Sequence, residues 1–473
     1  MSALRDSRQA VVVGGGLAGI TAALALADRG RRVTLVEARP RLGGLAFSFR
    51  RDSPAGPLTV DNGQHVYLRC CTAYRGFLRR IGGTALAPVQ PRLDVPVLDA
   101  VARRLGRIRR TALPPAPLHL APALARYPHL SRRERAAAVR AVLGLRRLDP
   151  ADPTLDEQDF GSWLRRMGQS ERAVQALWDL IGVATLNAPA AEVSLAQAAM
   201  VFRTGLLTGP GAADLGLPLV PLGRLHDTLA AAALERAGVR ILRATKVTGL
   251  APAPGGGWRV ALRPRHTATA PGREAGAGQR GPARQDGGEA ELTAPDVVLA
   301  VPQRAAHRLL PPGALPDQDR LLRLGNAPIL NVHVVYDRHV LPVPFLAVIR
   351  GRAQWIFDRT GPSGLRTGQY LALSQSAAAG EIDLPAETLR ARYLPELAAL
   401  LPAAAKARVR DFFVTREREA TFAPAPGSGR LRPGPVTRAP GIHLAGAWTA
   451  TGWPATMEGA VRSGLAAARA AGR

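Results

Sequence analysis

Apolar and polar positions alternate along this chain with two different periods. Residues 10–13 form an unbroken apolar run, residues 17–27 repeat apolar positions at helical spacing before Gly30, and residues 33–36 are mostly apolar again. The stretch 10–45 therefore predicts strand, tight turn, helix and strand, a βαβ start that belongs to a parallel sheet. Residues 90–148 are rich in Pro and Arg and then turn helical. Ser131 and Glu134 have capping-box spacing at the head of "SRRERAAAVRAVLGLRRL", which Asp149-Pro150 closes. Helical patterns run on to about 208, and strand patterns return at 239–252, 257–263 and 296–302. Further strands are expected at 329–336 and 369–375, a helix near 385–401, and a last strand in "IHLAGA" ahead of a terminal helix over 455–471. Between two of the strands, 264–291 is polar and rich in Gly, Pro and Arg. Such a composition cannot bury a core, so a disordered and dispensable hairpin-tip insertion is expected.

The terminal strand–helix pair reads as the end of the domain that the first βαβ unit begins. The expected fold class is α/β, with a Rossmann-like nucleotide-binding domain assembled from 1–72, 215–305 and 430–473. An α+β substrate domain is expected from 73–214 and 306–429. At 473 residues the chain is long enough for two or three such domains.

Charge changes this picture in one respect. The net charge of +27 comes almost wholly from arginine, with Lys246 and Lys406 the only lysines. Two readings compete: the joint abundance of Arg, Ala, Gly and Pro suggests coding bias in a GC-rich genome, and attraction to an anionic surface is the functional alternative. Nucleic acid is not an expected partner, because the basic residues are not interleaved with aromatics and no zinc or helix-turn-helix pattern occurs. An anionic membrane surface stays open as a partner, through the basic, Pro-rich stretch 101–147. No apolar run is long enough to span a bilayer. The polar start runs straight into a strand, and the two cysteines, Cys70 and Cys71, are adjacent and poorly placed for a disulfide. A reduced, cytoplasmic compartment with peripheral membrane contact is expected.

Gly14-x-Gly16-x-x-Gly19 follows a strand and opens a helix. The glycines allow the turn, the approach of a pyrophosphate and close helix–strand packing. The helix start at Leu17 and Ala18 then offers N–H groups and positive dipole to the phosphates. Glu37 ends the second strand, placed to accept ribose hydroxyl hydrogen bonds. "EARPRLGGLAFSF" continues with the Gly43-Gly44 doublet, and here the chain resembles the flavin amine oxidase and phytoene desaturase superfamily, which implies FAD. Many relatives have Arg directly after the doublet; this chain has Leu45. Gly446-Ala447 stands where the superfamily has Gly-Asp, so alanine replaces an acid that takes a hydrogen bond from the flavin chain.

"VDNGQHVYLRCCTAYRGFLRRIG" (60–82), "PLGRLH" (221–226), "AQWIFDR" (353–359), "REREATFAPAP" (416–426) and "AGAWTATGWPATMEGAVRSG" (445–464) narrow the resemblance. Together they are similar to the squalene-associated FAD-dependent desaturases, the hydroxysqualene dehydroxylases of hopanoid biosynthesis, over nearly the whole chain. The resemblance implies non-covalent FAD along Gly14, Gly16, Leu17, Ala18, Gly19, Glu37, Ala38, Arg39, Gly43, Gly44, Gln64, Val247, Gly446, Ala447, Met457 and Glu458. It implies a polyisoprenoid substrate, lined by Trp355, Arg359, Trp448 and Trp453. Trp448 and Trp453 are expected to flank the flavin and offer π-faces to a developing cation. His65, or Asp61 acting through it, is the expected proton source, and Pro454 is expected in the first turn of the helix that points at the flavin. One dinucleotide fingerprint implies that flavin reduction comes from external NAD(P)H or a reductase. No metal is expected. A carotenoid-type desaturase is the nearest alternative; an amine oxidase, lacking a well-placed lysine, and a non-catalytic flavin-bearing membrane scaffold are weaker ones.

Overall fold

The computed structural model describes residues 8–264 and 291–472, so the expected insertion lies almost entirely outside the described residues. The apolar run at the start is the strand Gln9–Val13, at the centre of a five-stranded parallel sheet. Its order is Ile442–Leu444, Asp296–Leu299, Gln9–Val13, Arg32–Val36, Arg240–Leu242. A strand covered on both faces has no polar side, which is why 10–13 shows no alternation. Ala10 and Val12 face the helix Leu17–Ala27 and the terminal helix Met457–Ala470. Val11 and Val13 face an antiparallel sheet of Thr245–Pro252, Trp258–Pro264 and Glu291–Ala294. The two helices touch along much of their length, and a Cβ on Gly464 would stand 2.2 Å from the Ala18 carbonyl oxygen. Glycine is needed there for the contact that brings the two ends of the chain together.

The second domain is a seven-stranded mixed sheet. It runs Val409–Thr421, Ala327–Tyr336, Gln369–Gln375, Trp355–Asp358, Phe345–Ile349, Asp94–Asp99, Arg104–Arg109. The helix Ala386–Leu400 closes one face through Leu389, Tyr393 and Leu397. A helical layer between 132 and 207 packs around Phe160, Trp178 and Phe202. The capping box at Ser131 and Glu134 is formed, and its helix ends at Arg147, before Asp149-Pro150. No described helix is long and apolar enough to cross a membrane.

Two expected boundaries move. The helix Thr72–Arg80 belongs to the nucleotide core, where Tyr74, Phe77, Leu78 and Ile81 pack with Leu24 and Val461. The first segment therefore extends past 72, to about Ala87. Likewise Ala306, Leu315, Leu321 and Leu324 pack on the five-stranded sheet, so the chain enters the second domain at Ala327 rather than at 306. Helical spacing reveals an apolar face but not which neighbour it will meet.

Candidate active site

The glycine turn builds a phosphate cradle. Gly14 N–H donates to the Val36 carbonyl at 2.7 Å, tying the turn to the second strand. The helix begins at Leu17 with no side-chain cap, and its first backbone bond is Ile20 N–H to Gly16 carbonyl at 2.9 Å. Leu17, Ala18 and Gly19 are buried, and no side chain caps their first-turn N–H groups. Gly44, with φ +59°, lies so close that a Cβ on it would be 2.9 Å from Gly16 Cα. Buried donors at a helix start need an acceptor, and a pyrophosphate is one.

Glu37 is buried at the end of its strand. Its carboxylate accepts Gly15 N–H at 2.6 Å and Arg39 N–H at 2.7 Å, one on each oxygen. Each oxygen keeps a lone pair for a ribose hydroxyl. Ala38 lies between these contacts, and Thr245 N–H donates to the Glu37 carbonyl at 2.9 Å. Val247, two residues on, is buried in the adjoining strand. Arg41 was not singled out by its pattern. It donates to the Gly44 carbonyl at 3.0 Å, stacks 3.3 Å above Phe47, and is pushed down to about 10 by burial and by Arg39. The Gly43-Gly44 loop is thus braced by an arginine that precedes it, with Leu45 exposed after it.

The loop after Val60 carries the next groups. Gln64 Nε2 is buried without a hydrogen-bond partner, an orphan donor that a flavin carbonyl would satisfy. His65 Nδ1 meets the Gly63 carbonyl at 3.0 Å, which assigns the ring proton to Nδ1 and leaves Nε2 to the adjoining cavity. Burial lowers the His65 pKa, so the ring is neutral near pH 7. Asp61 does not have the expected freedom to pass a proton. Its carboxylate pairs with Arg359 at 2.8 Å and accepts from Ser48 Oγ at 2.6 Å and Leu222 N–H at 2.9 Å. It is a carboxylate held by donors, joining the two domains.

Two cavities meet at Val66. The smaller, about 220 Å³, has His65, Gln64, Asp61, Phe357 and Arg359 on its walls. The larger encloses about 570 Å³, part of it open solvent, among Val66, Leu68, Met200, Val201, Trp453 and Met457. Trp355 borders neither; its ring stacks on Phe357 at 6.1 Å, and Phe357 reaches the cavity instead. Strand alternation puts both on one face, and the sequence could not show which stands nearer.

The tryptophans of the C-terminal loop separate. Trp453 lines the larger cavity, but the Arg462 guanidinium stands 4.9 Å from its ring and occupies one face. Trp448 is in the nucleotide core at 5 % exposure, with its indole N–H donating to the Val301 carbonyl at 2.9 Å. The pair does not flank one cavity. Gly446 N–H donates to Ser463 Oγ at 2.8 Å, and Ala447 offers its carbonyl to Arg432 at 3.2 Å. Arg432 also donates to the carbonyls of Thr449 at 2.6 Å and Trp453 at 2.7 Å, and burial lowers its pKa to about 10. This buried guanidinium gathers the whole loop, and nothing in "LRPGP" announced it.

The terminal helix starts at Met457, with Thr456 as its cap through Gly459 N–H at 3.1 Å. Pro454 therefore precedes the cap and is outside the first turn. Glu458 corrects a further expectation: its carboxylate accepts Ala73 N–H at 3.1 Å, Tyr74 N–H at 2.7 Å and Arg462 Nε at 2.7 Å. It caps another helix, and its side chain is not free for a cofactor. His226 of "PLGRLH" is fully buried between Tyr74 O–H at 2.8 Å and the Ala46 carbonyl at 3.0 Å. Lys246 and Lys406 are both exposed, away from the cavities.

The cradle, the bound loop glycines and the orphan Gln64 donor fit FAD. Residues 17–471 match the family described as flavin containing amine oxidoreductase. The hydroxysqualene dehydroxylase of Rhodopseudomonas palustris is 33 % identical, with 98 % of each chain covered. That of Sinorhizobium fredii is 28 % identical, covering 97 % of this chain and 96 % of its own. The zeta-carotene desaturase of Synechocystis is 24 % identical over 97 % of this chain and 96 % of its own. Among solved structures, cyclohexylamine oxidase from Brevibacterium oxydans superposes with a TM-score of 0.69 at 21 % identity, with 98 % of each chain covered. The chain therefore belongs to the flavin-containing amine oxidoreductase family, as an FAD-dependent oxidoreductase whose full-length relatives include hydroxysqualene dehydroxylases.

Proposed function

We propose that the chain reduces hydroxysqualene to squalene in hopanoid or triterpenoid biosynthesis. The observation that carries this reading is full-length similarity to hydroxysqualene dehydroxylases, at 33 % identity in one case. Reduced FAD, when bound, supplies the hydride that replaces the hydroxyl group. The hydroxyl leaves as water after taking a proton from Nε2 of the protonated, imidazolium form of His65, so proton and hydride together convert R–OH to R–H and water. The apolar walls of the larger cavity, which meets the smaller one at Val66, suit the allylic cation, and the open face of Trp453 adds about 0.5–2 kcal/mol of cation–π stabilisation. The N-terminus of the helix at Met457 favours negative charge beside it. Arg359 and Asp61 hold the loop that carries His65. Recharging is assigned to external NAD(P)H or a reductase.

Likeness to a zeta-carotene desaturase favours a second reading, oxidation of a carotenoid precursor. The two separate in one anaerobic experiment on dithionite-reduced holoenzyme. Hydroxysqualene should reoxidise the flavin with stoichiometric squalene, and His65→Ala should slow this by at least about tenfold. Since burial holds the His65 pKa below 6.5, only a minor fraction is protonated at neutral pH, and the rate should climb as pH falls through 6.5. Reduced enzyme that stays reduced, while oxidised enzyme desaturates phytoene, would establish the carotenoid reading instead.

A further inference from the structure

The edge strand Arg104–Arg109 and the short helix Ala121–Arg126 lie along one outer edge of the second domain. Thr111 N–H donates to the His119 carbonyl at 3.0 Å at one end, and Arg104 reaches the Pro128 carbonyl at 3.5 Å at the other. The helix therefore runs back antiparallel to the strand. Along the strand, Gly106 is buried under Pro128 and His129, so Leu105, Arg107 and Arg109 face away from that segment, on the uncovered side of the edge strand. Val101, Leu105, Leu113 and Leu118 are 67 %, 64 %, 80 % and 57 % exposed. Four large apolar side chains so close in sequence and so fully in water are costly to leave uncovered.

Charge identifies what covers them. Between 100 and 133 there are eight arginines and no Asp or Glu. Arg110 is spent on buried Asp214, and Arg107 and Arg109 share Asp94. Arg103, Arg126, Arg132 and Arg133 are exposed. A partner protein would need a matching acidic, apolar surface, whereas an anionic bilayer offers both phosphate charge and a hydrocarbon layer.

We propose that this edge docks on an anionic lipid bilayer, with Leu113 and Leu118 inserting and the exposed arginines meeting the headgroups. The same side of the molecule leads inward. Leu120 and Leu124 pack on a core cluster with Tyr127 and Leu180, and Val66, Leu68 and Leu206 pack on that same cluster. Val66 and Leu68 are walls of the larger cavity. Delivery of an apolar substrate along this route rests on the proposed function; the docking does not.

Vesicle flotation of the FAD-loaded full chain tests it without any substrate. The chain should float with vesicles of phosphatidylcholine and phosphatidylglycerol, should stay down with phosphatidylcholine alone, and should be released by high salt. Leu113→Ser with Leu118→Ser should abolish flotation, as should Arg103→Gln with Arg126→Gln and Arg132→Gln. All these side chains are exposed, so melting temperature and flavin content should not change. Failure to float, or flotation indifferent to lipid charge and to both variants, overturns the proposal. So does self-association without vesicles that the leucine variant removes, since a second copy would then be the occupant.

Discussion

Glu37 accepts from Gly15 and Arg39 at once, so its replacement removes more than a ribose contact. Glu37→Ala should weaken FAD binding to apoprotein by about 1–3 kcal/mol, measured by fluorescence titration of the flavin. Glu37→Gln should recover part of the loss, because one acceptor oxygen remains. Unchanged affinity in the alanine variant would mean that the backbone donors alone hold the cofactor. Glu37 was legible because its role depends on local spacing, one strand beyond a glycine turn. Asp61 was not, because its role depends on Arg359, which is 298 positions away in sequence.

Elements, too, are held by groups from elsewhere in the chain. The helix Thr72–Arg80 has no cap of its own at Cys71. Glu458, from the terminal helix, supplies both acceptors and pairs with Arg462. The charge also suits the positive end of the helix it caps. Glu458→Ala should lower stability by about 1–3 kcal/mol, seen as a fall in melting temperature. Flavin loss without any fall in melting temperature would instead return Glu458 to the cofactor site. The terminal helix itself was readable from its apolar period. Its first residue was not, since Thr456, rather than Pro454, makes the cap.

At the scale of the whole molecule, two neutral histidines are buried in separate domains. His226 lies among Tyr74, Phe77 and the Ala46 carbonyl, and burial lowers its pKa to about 4. His333 lies between Tyr370 and Thr415 with Arg51 near, and burial lowers it to about 3. In the unfolded chain both titrate near 6.5. Below that value the unfolded state binds more protons than the folded one, so stability is full above 6.5 and is lost as pH falls toward 4. Each unit of difference is worth about 1.4 kcal/mol per histidine. Melting temperature should drop across this window, and His226→Gln should start lower at neutral pH but fall less steeply. A melting temperature independent of pH between 6.5 and 4 would contradict the buried neutral state.

By itself the sequence determined the parallel sheet, the glycine cradle, the acid at Glu37 and the closure of the first domain by the last helix. Each follows from short-range spacing of apolar, glycine and capping residues, which a linear pattern records. Tertiary structure alone decided which of the proposed side chains remain available. It sent Trp448 into the core, gave one face of Trp453 to Arg462, and bound the Asp61 and Glu458 carboxylates to distant donors. A buried carboxylate or indole must satisfy its polar atoms, and the partner that does so is chosen by how segments distant in sequence pack together. Composition carries no trace of that choice.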